Sequence, residues 1–319
     1  MYLHAKLENH KENIKIAFIG CGKFISMFLS QYNQLKKIKI DTIVDLDIER
    51  AKLNCIKSGL TKEIIEKINF VSSLDTILNR NIEIFIEATG NAVAGTQHAY
   101  KVIQSKKNII MVNVEADVLC GKYLSDLAKE NNVIYSMAYG DQPSLILEQI
   151  EWARLNGFFV TCAGKGTKYH PSFEYSTPES VWSNYGIKTE AAKNGGMNPK
   201  MFNSFVTGDK SSIEMAAVVN SSGLKCPENG LTYPPVDVYD IANKLIPKSK
   251  GGCIDHEGQV EVISSINRNK IQIENDLRWG VYIVIKAQNN YAKNCFKEYG
   301  MVTDKSGDYS AIWRPYHYI

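Results

Sequence analysis

The stretch Ile14-Lys15-Ile16-Ala17-Phe18-Ile19-Gly20-Cys21-Gly22-Lys23-Phe24-Ile25-Ser26, followed on to Asp45, decides the first half of the chain. Ile14, Ile16, Phe18 and Ile19 read as a short buried strand. Met27, Phe28 and Leu29 then continue at helical spacing, so the order is strand, glycine turn, helix. A second strand, Ile38 to Val44, ends on Asp45, about 25 residues past the first glycine, where a dinucleotide-binding unit places the acid that holds the adenosine ribose. Gly20 permits the tight turn and Gly22 lets the backbone approach a pyrophosphate. The helix-start amides, at Lys23 and Phe24, face the phosphates. Ile25 or Ser26 stands where the fingerprint has its third glycine. A nicotinamide dinucleotide is the expected cofactor: Asp45 favours NAD, because a carboxylate repels a 2′-phosphate, and nearby Arg50 suits NADP.

Outward from this unit the pattern repeats. Helices are expected over Ile48–Ser58 and Lys62–Ile68, a third strand at Phe70-Val71, and a helix capped by Ser72 or Ser73. The strand Ile82–Glu87 runs into Ala88-Thr89-Gly90-Asn91, small and hydroxyl residues suited to lie against a ribose and nicotinamide. A helix (Gly95–Ser105), a strand ending at Asn113 and Val114-Glu115-Ala116-Asp117, another helix (Leu119–Asn131) and a sixth strand (Val133–Met137) complete an alternation that implies parallel strands with helical crossovers. Ligands gather beyond the carboxyl ends of such strands, which puts Gly20, Asp45, Thr89, Gly90, Asn91, Asn113, Glu115 and Tyr139–Pro143 on one rim.

Length and charge narrow the class. The 319 residues allow two domains, read here as a dinucleotide-binding domain over residues 1–150 and a catalytic, substrate-binding and oligomerisation domain over 151–319. With 37 basic and 34 acidic side chains the net charge is +3, and the lysines form no basic block, which argues against nucleic acid or an anionic membrane as partner. Seven scattered cysteines include no Cys-x-x-Cys and no zinc spacing, as in a reduced, cytoplasmic protein. Residues 1–13 lack a signal-peptide core, and no apolar run reaches membrane-spanning length.

After Leu145–Asn156, expected as a helix linking the domains, the period changes. Phe158–Ala163, Gln259–Ile266 and Gly280–Ala287 are β-rich, with helices over Met201–Phe205, Ser211–Asn220 and Val236–Leu245; this is an α+β domain on a mostly antiparallel sheet. Its first strand leads into Gly164-Lys165-Gly166-Thr167-Lys168-Tyr169-His170-Pro171. Read as a loop, this segment offers Lys165 and Lys168 to an anionic group or a developing alkoxide, with His170 beyond. Lys210 and Glu214, four apart on one helical face, suit proton transfer. Arg278 either clamps an anion or pairs with Asp276. Asp141, Asp209 and Glu261 are carboxylates available to a divalent ion, too far apart in sequence to define a metal site.

The runs Gly164–Pro171, Gly195-Gly196-Met197-Asn198-Pro199-Lys200-Met201-Phe202-Asn203-Ser204-Phe205, Lys210–Met215, Asp276–Tyr282 and Arg314-Pro315-Tyr316-His317 resemble the homoserine-dehydrogenase-related oxidoreductases, a family that includes the reductoisomerase-like enzymes acting on 1-deoxy-D-xylulose 5-phosphate. The resemblance spans Ile14 to His317. It implies a nicotinamide-dependent reductase of the bacterial cytoplasm, a homo-oligomer acting on a small anionic substrate, with NADPH the cofactor in the best-known members. It also implies a helix and a small β-rich domain after His317. Homoserine dehydrogenases proper carry a lysine after the asparagine ending the fifth strand, and an aspartate and lysine four apart on a helix. Here Val114 and Glu115 follow Asn113, and the helix carries Lys210 and Glu214. The expectation is therefore reduction of a small hydroxylated carbonyl compound, with a sugar phosphate and a coupled isomerisation as its finer form. A homoserine-type dehydrogenase and a cofactor-binding sensor without turnover are the alternatives.

Overall fold

A computed structural model of the chain describes residues 3–316, so His317 of the last quoted motif lies outside it. The chain forms two compact units that part between Ala138 and Tyr139.

The first unit runs α1 (Leu3–Glu8), β1 (Ile14–Ile19), α2 (Lys23–Gln31), β2 (Ile38–Val44), α3 (Ile48–Lys57), α4 (Lys62–Ile65), β3 (Asn69–Val71), β4 (Ile84–Glu87), α5 (Ala92–Gln104), β5 (Asn108–Met111), α6 (Val114–Glu130) and β6 (Tyr135–Met137). Its six strands are all parallel, in the order β3-β2-β1-β4-β5-β6, the doubly wound arrangement that the alternation implied. The period of two in β1 decides the layers. Ala17 and Ile19 pack with Phe85, Val102, Ile109 and Leu124 on one face, while Ile16 and Phe18 pack with Ile25, Leu29 and Ile43 on the other. Strand order reverses between β1 and β4, which opens the crevice beside the glycine turn.

Two local expectations change. The helix expected after Ser73 is a single 3-10 turn, Leu74–Thr76, which anchors itself through buried Leu74 with Ile77 next to it. Val114–Asp117 is not the end of a strand but the first turn of α6, because the Asn113 side chain accepts the amide of Ala116 at 3.1 Å and starts the helix there.

The second unit contains α7 (Gln142–Leu155), β7 (Phe159–Thr167), α8 (Val181–Tyr185), α9 (Thr189–Asn194), α10 (Pro199–Val206), α11 (Asp209–Ser222), α12 (Ile241–Lys244), β8 (Gln259–Ser264), β9 (Val281–Lys286), α13 (Asn290–Glu298), β10 (Val302–Thr303) and β11 (Tyr309–Arg314). The sheet order is β10-β11-β9-β7-β8. Only β7 and β8 pair in parallel, so the sheet is mixed with antiparallel pairs in the majority. Helix α7 packs with α11 on one face, where Leu145, Ile146, Ile150, Met215 and Val218 meet Val160, Val262 and Ile283. Ile241 and Leu245 cover the other face, against Ile263, Tyr282 and Val284. Between Val236 and Leu245 the expected single helix is replaced by a three-residue 3-10 turn, Val238–Asp240, and the four residues of α12.

The largest departure concerns Gly164–Thr167. These residues are not a ligand-facing loop; they continue β7, the strand between β9 and β8, and all four are buried. Their glycines answer to crowding. A Cβ on Gly164 would lie 1.8 Å from the carbonyl oxygen of Glu261, and one on Gly166 equally close, 1.8 Å, to that of Leu277. Gly164→Ala is accordingly expected to cost at least about 2 kcal/mol, because the Glu261 backbone of the paired strand, with the Tyr282 hydroxyl beside it, leaves no room to relax. A urea midpoint equal to that of the wild type would contradict this packing.

Candidate functional site

In the first unit the glycine turn is shaped from both sides. Gly20 has φ +89°, and a Cβ there would lie 3.0 Å from the Ala88 carbonyl oxygen and 3.1 Å from the Thr89 nitrogen. Gly22 is the opposite case. No atom lies within 4 Å of its would-be Cβ, and as N-cap of α2 it brings no side chain to the first-turn amides. An open cradle at a helix N-terminus whose cap residue offers no side-chain hydrogen bond fits a pyrophosphate. The peptide of Cys21 is fixed at both ends: its N–H donates to Asp45 Oδ2 at 2.8 Å and its carbonyl accepts from Asn54 Nδ2 at 2.7 Å. Asp45 Oδ1 accepts from Asp47 N (2.9 Å) and Arg50 Nη2 (3.1 Å), so Asp45 holds the turn itself and carries Arg50 beside it. In place of a third glycine, Ile25 is fully buried and the Ser26 hydroxyl bonds back to the Gly22 carbonyl at 3.1 Å.

The other rim residues lie where a parallel sheet puts them. Lys23, Thr89, Gly90 and Asn91 are exposed, Phe24 and Glu115 half-buried. Asn113 is buried and occupied, its Nδ2 donating to the Asn91 carbonyl at 2.9 Å as its Oδ1 caps α6.

The second unit concentrates charge in its interior. Lys165, on β7, hydrogen-bonds Glu214, on α11, and each side chain is only 2% exposed. The Phe205 ring sits 5.3 Å from the ammonium. Sequence spacing linked Glu214 to Lys210 on its own helix; the fold brings it to a lysine 49 residues away. Asp141 joins them. It starts α7 by accepting the Gln142 amide at 2.9 Å, and although the residue keeps some exposure, burial of its carboxyl, then the charge of Glu214, push it above its usual range against the pull of Lys210 and Lys165. The Ser211 hydroxyl is buried here without a hydrogen-bond partner. Sequence reading had Asp141 on the ligand rim and as a metal-ligand candidate; an acid directly before Gln142-Pro143 was its helix-start signal.

Lys168 leaves the strand for different company. It donates to the Tyr185 carbonyl at 3.0 Å, and burial followed by the Arg278 charge lowers its pKa. The Arg278 guanidinium lies over the rings of Tyr185 (4.5 Å) and Trp279 (4.8 Å). The expected pairing with Asp276 takes another form, since that carboxylate accepts the Arg278 backbone amide at 2.7 Å. Lys168, Phe173, Ser183, Asn184, Ile266 and Lys270 line a cavity of about 210 Å³. Among the described residues Lys168, Lys270 and Arg278 form no ion pair with a carboxylate. His170 is committed to structure: Nδ1 faces Ser172 Oγ at 2.8 Å and Nε2 the Arg268 carbonyl at 3.1 Å. Glu261 is likewise occupied, accepting from Thr232 Oγ1 (2.8 Å) and Val262 N (2.9 Å), and Asp209 accepts from Thr207 Oγ1 (2.8 Å). Among the described residues no three potential ligands gather as a metal site, all seven cysteines are free, and no helix is long and apolar enough to cross a membrane.

Comparison with known families matches residues 140–319 to the catalytic domain of oxidoreductase DRL. Over 123 residues, 39% of this chain, the sequence is 27% identical to a 1-deoxy-D-xylulose 5-phosphate reductoisomerase of Endomicrobium trichonymphae and spans 31% of that protein. The chain thus covers about a third of the curated relative it matches. Among solved structures, a homoserine dehydrogenase from Thiobacillus denitrificans is similar at a TM-score of 0.48 and 14% identity, over 67% of this chain and 50% of that one. The WlbA dehydrogenase from Bordetella pertussis, solved with NADH and UDP-GlcNAcA, gives a TM-score of 0.39 and 16% identity, over 52% and 47%.

Two outcomes follow from the buried charges. Lys165→Met or Glu214→Leu alone strands the other charge and should cost about 3–5 kcal/mol, while the double variant recovers most of that loss; additive losses in urea denaturation would refute the pairing. A carboxyl whose folded pKa is raised loses stability as pH climbs from its unfolded value through the folded one. Asp141→Asn should therefore raise the unfolding midpoint at neutral pH, with the gain vanishing below the ordinary value of 3.8. A gain independent of pH would show that the carboxyl is not the cause.

Proposed function

The chain belongs to the oxidoreductase DRL family, through a catalytic domain that occupies more than half its length, and from that premise we propose that it is an NAD(P)H-dependent reductase of a small, anionic, hydroxylated carbonyl compound. The first unit holds the dinucleotide; the second binds the substrate and handles the proton. The observation that carries this reading is the Lys165–Glu214 pair with Asp141 beside it. Removing two charges from water costs several kcal/mol each before pairing, and well-packed apolar residues would serve stability as well. Such groups, gathered with a perturbed carboxyl, support a reading of the cluster as a site of proton chemistry.

A dinucleotide held through its pyrophosphate at the Gly20–Gly22 turn would supply a hydride from its reduced nicotinamide. The chain's own residues do the rest. Gly22 leaves room for the pyrophosphate, and the α2 amides neutralise part of its charge. Lys165 Nζ carries the proton that a carbonyl oxygen needs as it becomes a hydroxyl, and Glu214 holds the balancing charge. Lys168, Lys270 and Arg278, cations without carboxylate partners among the described residues, suit a phosphate or carboxylate on the substrate. That supports a sugar phosphate and, with the similarity to a 1-deoxy-D-xylulose 5-phosphate reductoisomerase, a coupled isomerisation. Arg50, largely exposed beside Asp45, favours NADP over NAD.

The test is a titration with NADPH and NADH followed by nicotinamide fluorescence, then absorbance with a panel of sugar-phosphate ketones and aldehydes. NADPH should bind more tightly and be consumed with one class of substrate. Gly22→Val, whose Cβ would have no atom within 4 Å, should abolish binding at unchanged thermal stability. Retained binding in that variant would refute the site, and binding without turnover across the panel would favour a cofactor-sensing protein.

A further inference from the structure

Glu87, the last residue of β4, is fully buried, and nothing in the reading above uses it. Its Oε1 gathers three contacts: the Thr89 hydroxyl at 2.5 Å, the Thr89 amide at 3.4 Å and His98 Nδ1, from α5, at 3.2 Å. Its Oε2 is buried with no partner. Gly95 explains how the carboxylate fits between α5 and α6. A Cβ at that position would lie 3.1 Å from Oε2 and 2.4 Å from Asn113 Nδ2. The contacts continue outward. Asn113 Nδ2 reaches Thr89 Oγ1 at 3.4 Å and the Asn91 carbonyl at 2.9 Å, and the Asn91 side chain caps α5 by accepting the Ala94 amide at 2.9 Å. Asp117, the neighbouring carboxylate on α6, is held separately by the Tyr135 hydroxyl at 2.7 Å.

A buried carboxylate with one oxygen left unpaired is a poor choice for stability, since an apolar side chain there would escape the desolvation cost. What it does is hold Thr89, through the hydroxyl and, at 3.4 Å, the amide nitrogen that itself lies 3.1 Å from the Gly20 Cβ position. We propose that Glu87, oriented by His98, is a positioning residue for the dinucleotide: it clamps the Thr89–Asn91 turn as the wall against which the Gly20 turn takes its binding shape. His98 is the one basic side chain paired with it among the described residues. The proposal rests on the dinucleotide-binding reading of the Gly20–Gly22 turn.

Glu87→Gln keeps the volume and an oxygen for the Thr89 hydroxyl but removes the charge that draws His98. The Kd for NADPH, read by nicotinamide fluorescence, should rise about tenfold, the scale of losing a charge-assisted contact in a buried network. The thermal midpoint of the protein without dinucleotide should hold or rise. His98→Ala should weaken binding similarly, and the double variant should be no worse than Glu87→Gln alone, because the two act as one unit. Should Glu87→Gln fail to fold, His98→Ala carries the same decision. A Kd within about twofold of wild type in the folded variants, with or without a lower midpoint, makes the cluster structural and overturns the proposal. Wild-type protein that binds neither NADPH nor NADH overturns the dinucleotide reading and this proposal with it.

Discussion

One ion pair sets the terms for the second unit. Lys165 and Glu214 face each other where water does not reach, so each is tolerable only while the other is present. That mutual dependence ties a central strand to the helix packed on its face. It also explains why β7 remains a strand through Thr167: a lysine at the register position opposite Val281 and Val262 meets its carboxylate only if the strand continues. The flanking glycines then serve the close approach of neighbouring backbones.

The first unit depends on a different constraint, the exact backing of a glycine turn by side chains remote in sequence. Asp45 and Asn54 hold the two ends of the Cys21 peptide, and the Glu87 cluster holds the turn that Gly20 touches. A glycine turn has few side chains of its own with which to hold itself in place, so its rigidity comes from the next strands and helices. Asp45 therefore supports the turn and stands beside Arg50 at the same time.

Much of the architecture was legible in the chain. The doubly wound order followed from strands and helices alternating at regular intervals, and β1 and β2 match their expected limits, Ile14–Ile19 and Ile38–Val44, because apolar runs bounded by polar or glycine residues leave one reading. Local pattern misled where a segment's role depends on what lies beside it. Gly164–Thr167 looks like a loop from its glycines and lysine, and Ser72–Asp75 looks like a helix start from its caps; neither pattern contains the neighbour that decides the outcome.

The parallel sheet, the glycine turn and the acid at the end of β2 could be read from local pattern, since these rest on periodicity and on the conformational freedom of glycine, properties carried by a few adjacent residues. Tertiary structure decided the chemistry. It moved Glu214 from its helical neighbour to Lys165, enclosed the carboxyl of Asp141, assigned His170 to backbone support, and left Lys168 on the Tyr185 carbonyl and Arg278 over aromatic rings. Charge pairing depends on distance through space and on the exclusion of water, and both come into being only when strands and helices far apart in the chain pack together.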